Sequence, residues 1–439
     1  MGNTRNLGDL LNTDSTIATA DVADGGITTA KLADTAVTTA KITDANITTA
    51  KLASNAVTTA KITDGNISTA KLADDAVTGA KIENNPTIAG NLTVSGGFIP
   101  SISTSSSNIL MNGNFAIAQR GTSSTAQGIQ TVDRWSVNFS QVSVTQSQEP
   151  TATSDAPYGQ GLRNFYRAEI TSASSSTASY IQFVHQIESQ HIATSGWDYK
   201  SSSSYVTLSF WARSSLAGTY QAFLFTSNMS PNKIRTNTFT LSANTWTKIS
   251  VSFQGDTSLT INNDTNRGML VYIVPHYGTD FTGSNANTST WYALTGQDYM
   301  VDYPQNWGDT NGRYFDITGC QLEVGQSATP YKHETPDENK RRCQRYFYKP
   351  DTPNNFMGNL MAPDGNANDF IGSVDFPVEM RAQPTYTGTA VENGTVDTLG
   401  GMISHDVTRH CISFVRMTND GIAGRRGVNV RGQVDAEFS

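Results

Sequence analysis

Ile27-Thr28-Thr29-Ala30-Lys31-Leu32-Ala33-Asp34 is answered ten residues later by Val37-Thr38-Thr39-Ala40-Lys41-Ile42-Thr43-Asp44, and the pattern returns at Ile47, Val57, Ile67 and Val77. Lysine recurs at 31, 41, 51, 61, 71 and 81, and a large apolar residue stands at every fifth position from 27 to 82. Self-similarity at a fixed period marks a repeat architecture. A step of five suits neither a helical stripe, which needs steps of three and four, nor a continuous strand, where odd spacings fall on opposite faces. Each five-residue step therefore contains a turn, or the unit alternates a short extended piece with one helical turn. Asp34, Asp44, Asp64 and Asp74 supply turn chemistry, and the threonine pairs suit strands or helix caps.

One large apolar residue in five cannot close a core within one chain. Burying a Leu or Ile stabilises by about 1.5–3 kcal/mol, whereas ordering each backbone residue costs about 1–2 kcal/mol. The segment is expected to form when chains wrap together and bury Ile27, Leu32, Val37, Ile42, Ile47, Leu52, Val57, Ile62, Ile67, Leu72, Val77 and Ile82 on a shared axis. Between 17 and 86, six Lys face seven Asp and one Glu. Lys and Asp three apart can pair, but exposed pairs contribute little. The plain alternative is a flexible linker, which has no need of Ile, Val or Leu at fixed positions.

The chain has 439 residues, a length that suggests roughly three domains of about 150 residues. It is 37% hydrophobic and only 15% charged, with a net charge of −8. The acidic balance and the lack of a dominant basic patch exclude a nucleic-acid partner. The longest apolar stretch, Met269 to Val274, is far short of the roughly 20 residues a membrane span needs, so no membrane insertion is expected. Met1 to Leu7 lacks the apolar core of a signal peptide. The three cysteines, at 320, 343 and 411, do not form a disulfide framework. Synthesis in a reducing cytoplasm is expected.

Beyond the repeat the reading is all-β. Asn84-Asn85-Pro86 ends the repeat, 87–107 is a connector with a serine-rich hinge, and 108–335 carries many short strands separated by Gly, Asn and Ser clusters. Tyr205–Arg213 alternates Val206, Leu208, Phe210 and Ala212 on one face, and Thr247–Phe253 does the same. This pattern predicts a jelly-roll-like β-sandwich. All six tryptophans lie in this region. Such rings stack on sugars or fill a β core, and the core role is expected for most of them. Thr335-Pro336-Asp337-Glu338 predicts a capped helix start, giving a short helical joint over 336–345 whose Lys340, Arg341, Arg342 and Arg345 are solvated or acid-paired. Residues 346–439 read as a small C-terminal β-sandwich, with strands at Phe370–Val378 and His410–Arg416.

The search for chemistry finds no catalytic spacing. Glycoside hydrolysis needs two facing carboxylates, which sequence spacing cannot pair across a sheet, and no Gly-x-Ser-x-Gly elbow is present. His405 and His410 are five apart and fall on opposite faces of a strand, against shared metal ligation. Gly424-Arg425-Arg426-Gly427 reads as an exposed loop. Three copies of it would make a basic ring for an anionic polysaccharide; solvated or acid-paired arginines are the simpler reading.

Three stretches carry a resemblance. The decads resemble the shaft repeats of bacteriophage tail fibres. Asn112-Gly113-Asn114-Phe115-Ala116-Ile117-Ala118-Gln119-Arg120-Gly121 with Asp133-Arg134-Trp135, Leu208–Arg213, and Ile317–Gly325 with Ala328-Thr329-Pro330 are similar to the carbohydrate-binding-module-like sandwich of such fibres. Cys343–Phe347 and Phe376–Thr385 resemble their distal tip domain. The resemblance spans roughly residues 17 to 439 and points to fibres of podovirus-like marine phages. It implies an elongated, all-β homotrimeric fibre. Residues 1–16 would attach to a tail hub or adaptor protein, 17–86 form the trimeric shaft, and 346–439 form the receptor-binding tip. The implied function is adsorption to a host surface polysaccharide or lipopolysaccharide, without catalysis, on a protein that ends up in the virion tail. Arg425, Arg426, His405, Trp197 and Trp307 are the candidate receptor contacts. No cofactor is expected; similar sandwiches often hold structural calcium, for which Asp309-Thr310-Asn311-Gly312 is the candidate loop, although it lacks most of the ligand set. Two alternatives stay open: a tailspike that depolymerises a polysaccharide, and a monomeric glycan-binding accessory domain, which leaves the decads without a role.

Overall fold

The decads fold alike in the structure, a computed structural model that describes residues 17, 22–43, 46–54, 56–62, 67–68, 72, 108–283, 286, 288–302, 305–352, 355–361, 369–392, 395–397, 404–417 and 427–438. They belong to the first of two units, Met1–Phe98. Thr28 and Thr38 are extended, with φ −93° and ψ 163° in both. Each is followed by one 3-10 turn, at Thr29–Lys31 and Thr39–Lys41, and the same turn recurs at Thr49–Lys51 and Thr59–Lys61. The first closes through Lys31 N–H to Thr28 O at 2.9 Å, and the chain turns again at Ala36 N–H to Ala33 O, 3.0 Å. Thus the unit alternates an extended residue with one helical turn, as the step of five requires.

The lysines have a different partner from the one expected. Nζ of Lys31, Lys41, Lys51 and Lys61 donates to the carbonyls of Gly26, Ala36, Asn46 and Ala56 at 2.5–2.7 Å. Among the described residues each ammonium is spent on a backbone acceptor five residues back, not on an aspartate. Among the described residues of this unit no side chain is buried. Ile27, Val37, Ile47, Val57 and Ile67 are 54–56% exposed, and Leu32, Ile42, Leu52, Ile62 and Leu72 are 40–44% exposed. Val77 and Ile82 lie outside the described residues.

The second unit, Ile99–Ser439, is built from strands. In chain order these are β1 (Ser123–Ser124), β2 (Trp135–Ser140), β3 (Ser143–Pro150), β4 (Asn164–Ser172), β5 (Tyr180–Glu188), β6 (Tyr205–Ser214), β7 (Gly218–Thr226), β8 (Lys233–Leu241), β9 (Thr247–Gln254), β10 (Arg267–Tyr277), β11 (Tyr292–Ala293) and β12 (Tyr314–Val324). There follow β13 (Phe347–Tyr348), β14 (Phe356–Met361), β15 (Asp369–Asp375), β16 (Thr385–Glu392), β17 (Thr395–Asp397), β18 (Ser404–Val407), β19 (Cys411–Met417) and β20 (Gly427–Asp435). Among the described residues three α-helices interrupt them: α1 (Ala156–Gly159), α2 (Ser189–Ala193) and α3 (Pro336–Gln344).

The first twelve strands make two six-stranded antiparallel sheets, ordered β1-β3-β4-β12-β6-β9 and β11-β8-β7-β10-β5-β2. Alternation decides their inner faces: Leu208, Phe210 and Ala212 of β6, Tyr220 and Leu224 of β7, and Phe183 of β5 are all buried in one core. Phe315 of β12 meets Tyr220 at 5.1 Å and Phe183 at 6.1 Å between ring centroids. The expected two-sheet sandwich is therefore present. The C-terminal strands differ from expectation. Among the described residues they form one eight-stranded antiparallel sheet, β17-β16-β20-β14-β15-β19-β18 with β13 on β20, where a small sandwich was expected. Phe376, Met380, Tyr386, Ile412, Val430, Val434 and Ala436 form a buried cluster with this sheet.

Helix α3 is capped as read from sequence: Thr335 Oγ1 accepts from Glu338 N–H at 3.3 Å. Lys340 of the helix pairs with Asp351, and two arginines pair as well. Arg345 grips Glu188 of β5 through Nε and Nη2 at 3.0 and 3.1 Å, and Arg342 pairs with Glu334. Beneath them the guanidinium of fully buried Arg134 lies 3.4 Å over the Tyr346 ring and pairs with Glu437. This stitching ties the C-terminal sheet to the sandwich. No helix among the described residues is long and apolar enough to cross a membrane.

Candidate functional site

Strand β10 reads Met269-Leu270-Val271-Tyr272-Ile273-Val274, apolar at successive positions, so both of its faces are covered. Met269, Val271 and Ile273 face the sandwich core. Val274 and Tyr277 join a second cluster on the outer face with Phe223 and Ile234. Tyr272 and Tyr277 are five apart and would lie on opposite faces of a regular strand. An irregularity in the pairing with β5 between Ile273 and His276 changes the parity and returns Tyr277 to the outer face.

The segment after β10 folds back over this face. Gly283 N–H donates to Met300 O at 3.0 Å, and Tyr299 N–H to Phe281 O at 3.1 Å, which places both rings above the sheet. The result is a cleft of about 220 Å³ lined by Tyr180, Gln182, Tyr272, Tyr277, Phe281 and Tyr299. Its rings are fixed against one another. Phe223 stacks under Tyr272 at 4.4 Å with planes 16° apart, Tyr180 meets Phe281 edge-on at 5.4 Å, and Tyr277 meets Tyr299 at 5.9 Å. The Tyr277 hydroxyl donates to Gln182 Oε1. Burial pushes the Tyr272 phenol up to about 12 and raises that of Tyr299. These two phenols therefore stay neutral and keep their O–H donors. Among the described residues no carboxylate or imidazole lines the cleft, which offers aromatic faces and hydroxyl partners. Apolar walls with a few placed polar groups suit a neutral, hydroxyl-rich ligand.

Near the cleft Ser179 and His276 are in contact, Oγ to Nε2 at 2.8 Å. It is not arranged for catalysis. Ser179 Oγ donates to Ser176 O at 2.6 Å, His276 Nδ1 has no orienting partner, and burial lowers the imidazole to about 4. Both residues are buried.

Two expected receptor contacts are corrected by burial. Trp197 is 3% exposed and Trp307 0%. Their indole N–H groups donate inward, to Ser204 O at 3.4 Å and to Ser214 Oγ at 3.1 Å. Both plug the sandwich core and cannot meet a macromolecular surface. His405 is on β18, its backbone opposite Phe414 of β19. Arg425 and Arg426 lie outside the described residues. In the candidate calcium loop, Asp309 pairs with Arg313 at 2.5 Å and Asn311 Oδ1 accepts from Ala173 N–H at 2.6 Å, so its oxygens serve a turn closed by Gly312 at φ +76°. The tyrosine cleft itself was not anticipated. The signal for it was the two-faced apolar run of β10, weighed only as too short for a membrane.

No family model matches the chain, and no curated protein does. Solved structures similar to it include the enzymatically active domain of tailspike protein 4 of bacteriophage CBA120, at 10% identity over 50% of this chain and 21% of that one, TM-score 0.28. The match therefore spans about a fifth of the tailspike chain. A cyclase from Fischerella sp. TAU matches at 10% identity over 50% of this chain and 97% of its own, TM-score 0.28. The family 11 carbohydrate-binding module of the cellulase Lic26A-Cel5E of Clostridium thermocellum matches at 11% identity over 48% and 98%, TM-score 0.24.

Proposed function

We propose that the chain is a homotrimeric phage tail fibre that adsorbs reversibly to a host surface polysaccharide or lipopolysaccharide. It sits in the virion, joined to a tail hub or adaptor through residues 1–16, and works by binding, without catalysis or cofactor. The observation that carries the reading is the tyrosine cleft, whose five aromatic rings and one amide suit sugar faces and hydroxyls and hold no catalytic group. The fibre half rests on the decads: ten apolar side chains at five-residue steps, all exposed in the single chain. Two further copies would cover them.

The test has two arms. Light scattering of the full chain is expected to give the mass of three chains, and a single-chain mass would sink the fibre half. Binding of neutral oligosaccharides is expected to weaken about tenfold, or about 1.4 kcal/mol, in Tyr272→Ala. Unchanged binding would remove the cleft from the account, and release of shortened oligosaccharides would favour a depolymerase.

A further inference from the structure

At one end of the sandwich, the loops before β8 and β10 meet the C-terminal segment around a second cleft, of about 450 Å³. Its lining is Ser227, Asn228, Asn262, Asn266, Arg267, Arg381 and Phe438. The chemistry is the opposite of the tyrosine cleft: two guanidiniums, three amides, one hydroxyl and a single ring.

The two arginines are held without carboxylates. Arg267 donates from Nε to Ser227 Oγ at 3.0 Å and from Nη1 to Gln186 Oε1 at 3.2 Å. Arg381 donates to three backbone carbonyls, Ala436 O at 2.8 Å, Thr265 O at 3.1 Å and Glu437 O at 3.1 Å, and lies 4.1 Å over the Phe438 ring. Neither enters an ion pair among the described residues, whereas Arg120, Arg134, Arg167, Arg213, Arg342 and Arg345 all do. A guanidinium carries five N–H donors, so each arginine keeps donors unspent in the wall of the cleft. Burial lowers the Arg381 value, the direction expected of a cation whose solvation has not been replaced by a full counter-charge. The carboxylates nearby are engaged elsewhere and do not line the cleft: Glu188 and Glu437, whose charges act on Arg381, pair with Arg345 and Arg134, and Asp264 accepts from the backbone and side-chain amides of Asn266 at 3.0 and 3.1 Å.

Neutral carbonyl partners fix the position of a guanidinium and leave its charge for a ligand. Fork-shaped donors match a carboxylate in geometry and charge, and amides address hydroxyls. We propose that this cleft binds an acidic sugar unit of a polysaccharide, its carboxylate held by Arg267 and Arg381 and its hydroxyls by Asn228, Asn262 and Asn266. That the ligand is a saccharide rests on the proposed function; the capture of an anion does not.

The test titrates the full chain with a galacturonic-acid tetramer, with the corresponding neutral galactose tetramer, and with inorganic phosphate. The acidic tetramer is expected to bind about tenfold more tightly than the neutral one and to weaken as salt rises. Arg267→Gln and Asn262→Ala, checked for an unchanged melting temperature, are each expected to weaken the acidic tetramer severalfold or more. Tyr272→Ala is expected to leave it unchanged while weakening the neutral one. Equal binding of the two tetramers, unchanged affinity in both Arg267→Gln and Asn262→Ala, or displacement by phosphate at the same concentration as by free galacturonate would overturn the inference. Neutral binding that is unchanged in Tyr272→Ala, or absent from the unaltered chain, would count against the tyrosine cleft, not against this site.

Discussion

Asp133 shows how one buried group sets a pH dependence. Its side chain is fully buried, beside Arg120 at 3.4 Å and the Gln119 amide. Burial pushes the carboxyl up from 3.8 to about 7, outweighing Arg120 and Gln119, with Glu437 adding to the rise. A raised native value means that the folded state holds the proton more tightly than the unfolded chain. The group's contribution is therefore full below about pH 4, falls as the pH climbs, and is gone above about pH 7. Asp133→Asn is expected to flatten the decline in melting temperature between those limits, since Arg120 still has Asp435 and Glu437. Glu188, whose value is lowered because its bonds to Arg345 and Tyr346 outweigh burial, acts in the opposite sense at more acid pH and serves as the internal reference. An unchanged slope in the variant would show that Asp133 is not the titrating group. At this scale the sequence misled most about the tryptophans. Period-two alternation marks inner and outer faces within strands, but Trp197 and Trp307 lie outside the strands, and no local pattern tells a ring that plugs a core from one that greets a sugar.

Elements were legible where the signal is local. The pattern over Tyr205–Arg213 is β6, that over Thr247–Phe253 is β9, and the cap at Thr335 opens α3. Pairing was not legible. Strand β12 sits between β4 and β6, with Asp316 opposite Arg167 and Arg213, and nothing in any one strand names partners so far along the chain. The tyrosine cleft was hidden for the same reason, since it needs a β10–β5 irregularity that only pairing creates. For α3, Thr335→Ala removes one capping bond and is expected to cost about 1 kcal/mol. Arg345→Met leaves the fully buried Glu188 without its bidentate partner and is expected to cost about 3–5 kcal/mol. Denaturant melts of the two variants check the ranking. A loss in Arg345→Met no larger than in Thr335→Ala would mean that Tyr346 and Gln190, which also bond Glu188, carry that carboxylate between them.

The two units differ in what holds them. Ile99–Ser439 has a continuous core between two sheets, whereas the described part of Met1–Phe98 has none and exposes its apolar rows. Under the proposed function, the first unit is the part whose stability depends on partner copies, and the second is the part that binds. This separation makes a prediction about avidity. A chain starting at residue 99 is expected to fold, to be monomeric, and to bind a short neutral oligosaccharide as tightly as the full chain does, because its cleft is built from its own residues. On a surface coated with long polysaccharide the full chain is expected to dissociate far more slowly. Three clefts on one shaft make each rebinding intramolecular, a gain on the order of 10²–10⁴ without a new contact. Oligosaccharide affinity by calorimetry and dissociation from the coated surface, measured on both chains, separate the two effects. Equal dissociation rates, with equal oligosaccharide affinities, would mean that the decads do not gather the clefts, and the exposed rows at every fifth residue would need another occupant.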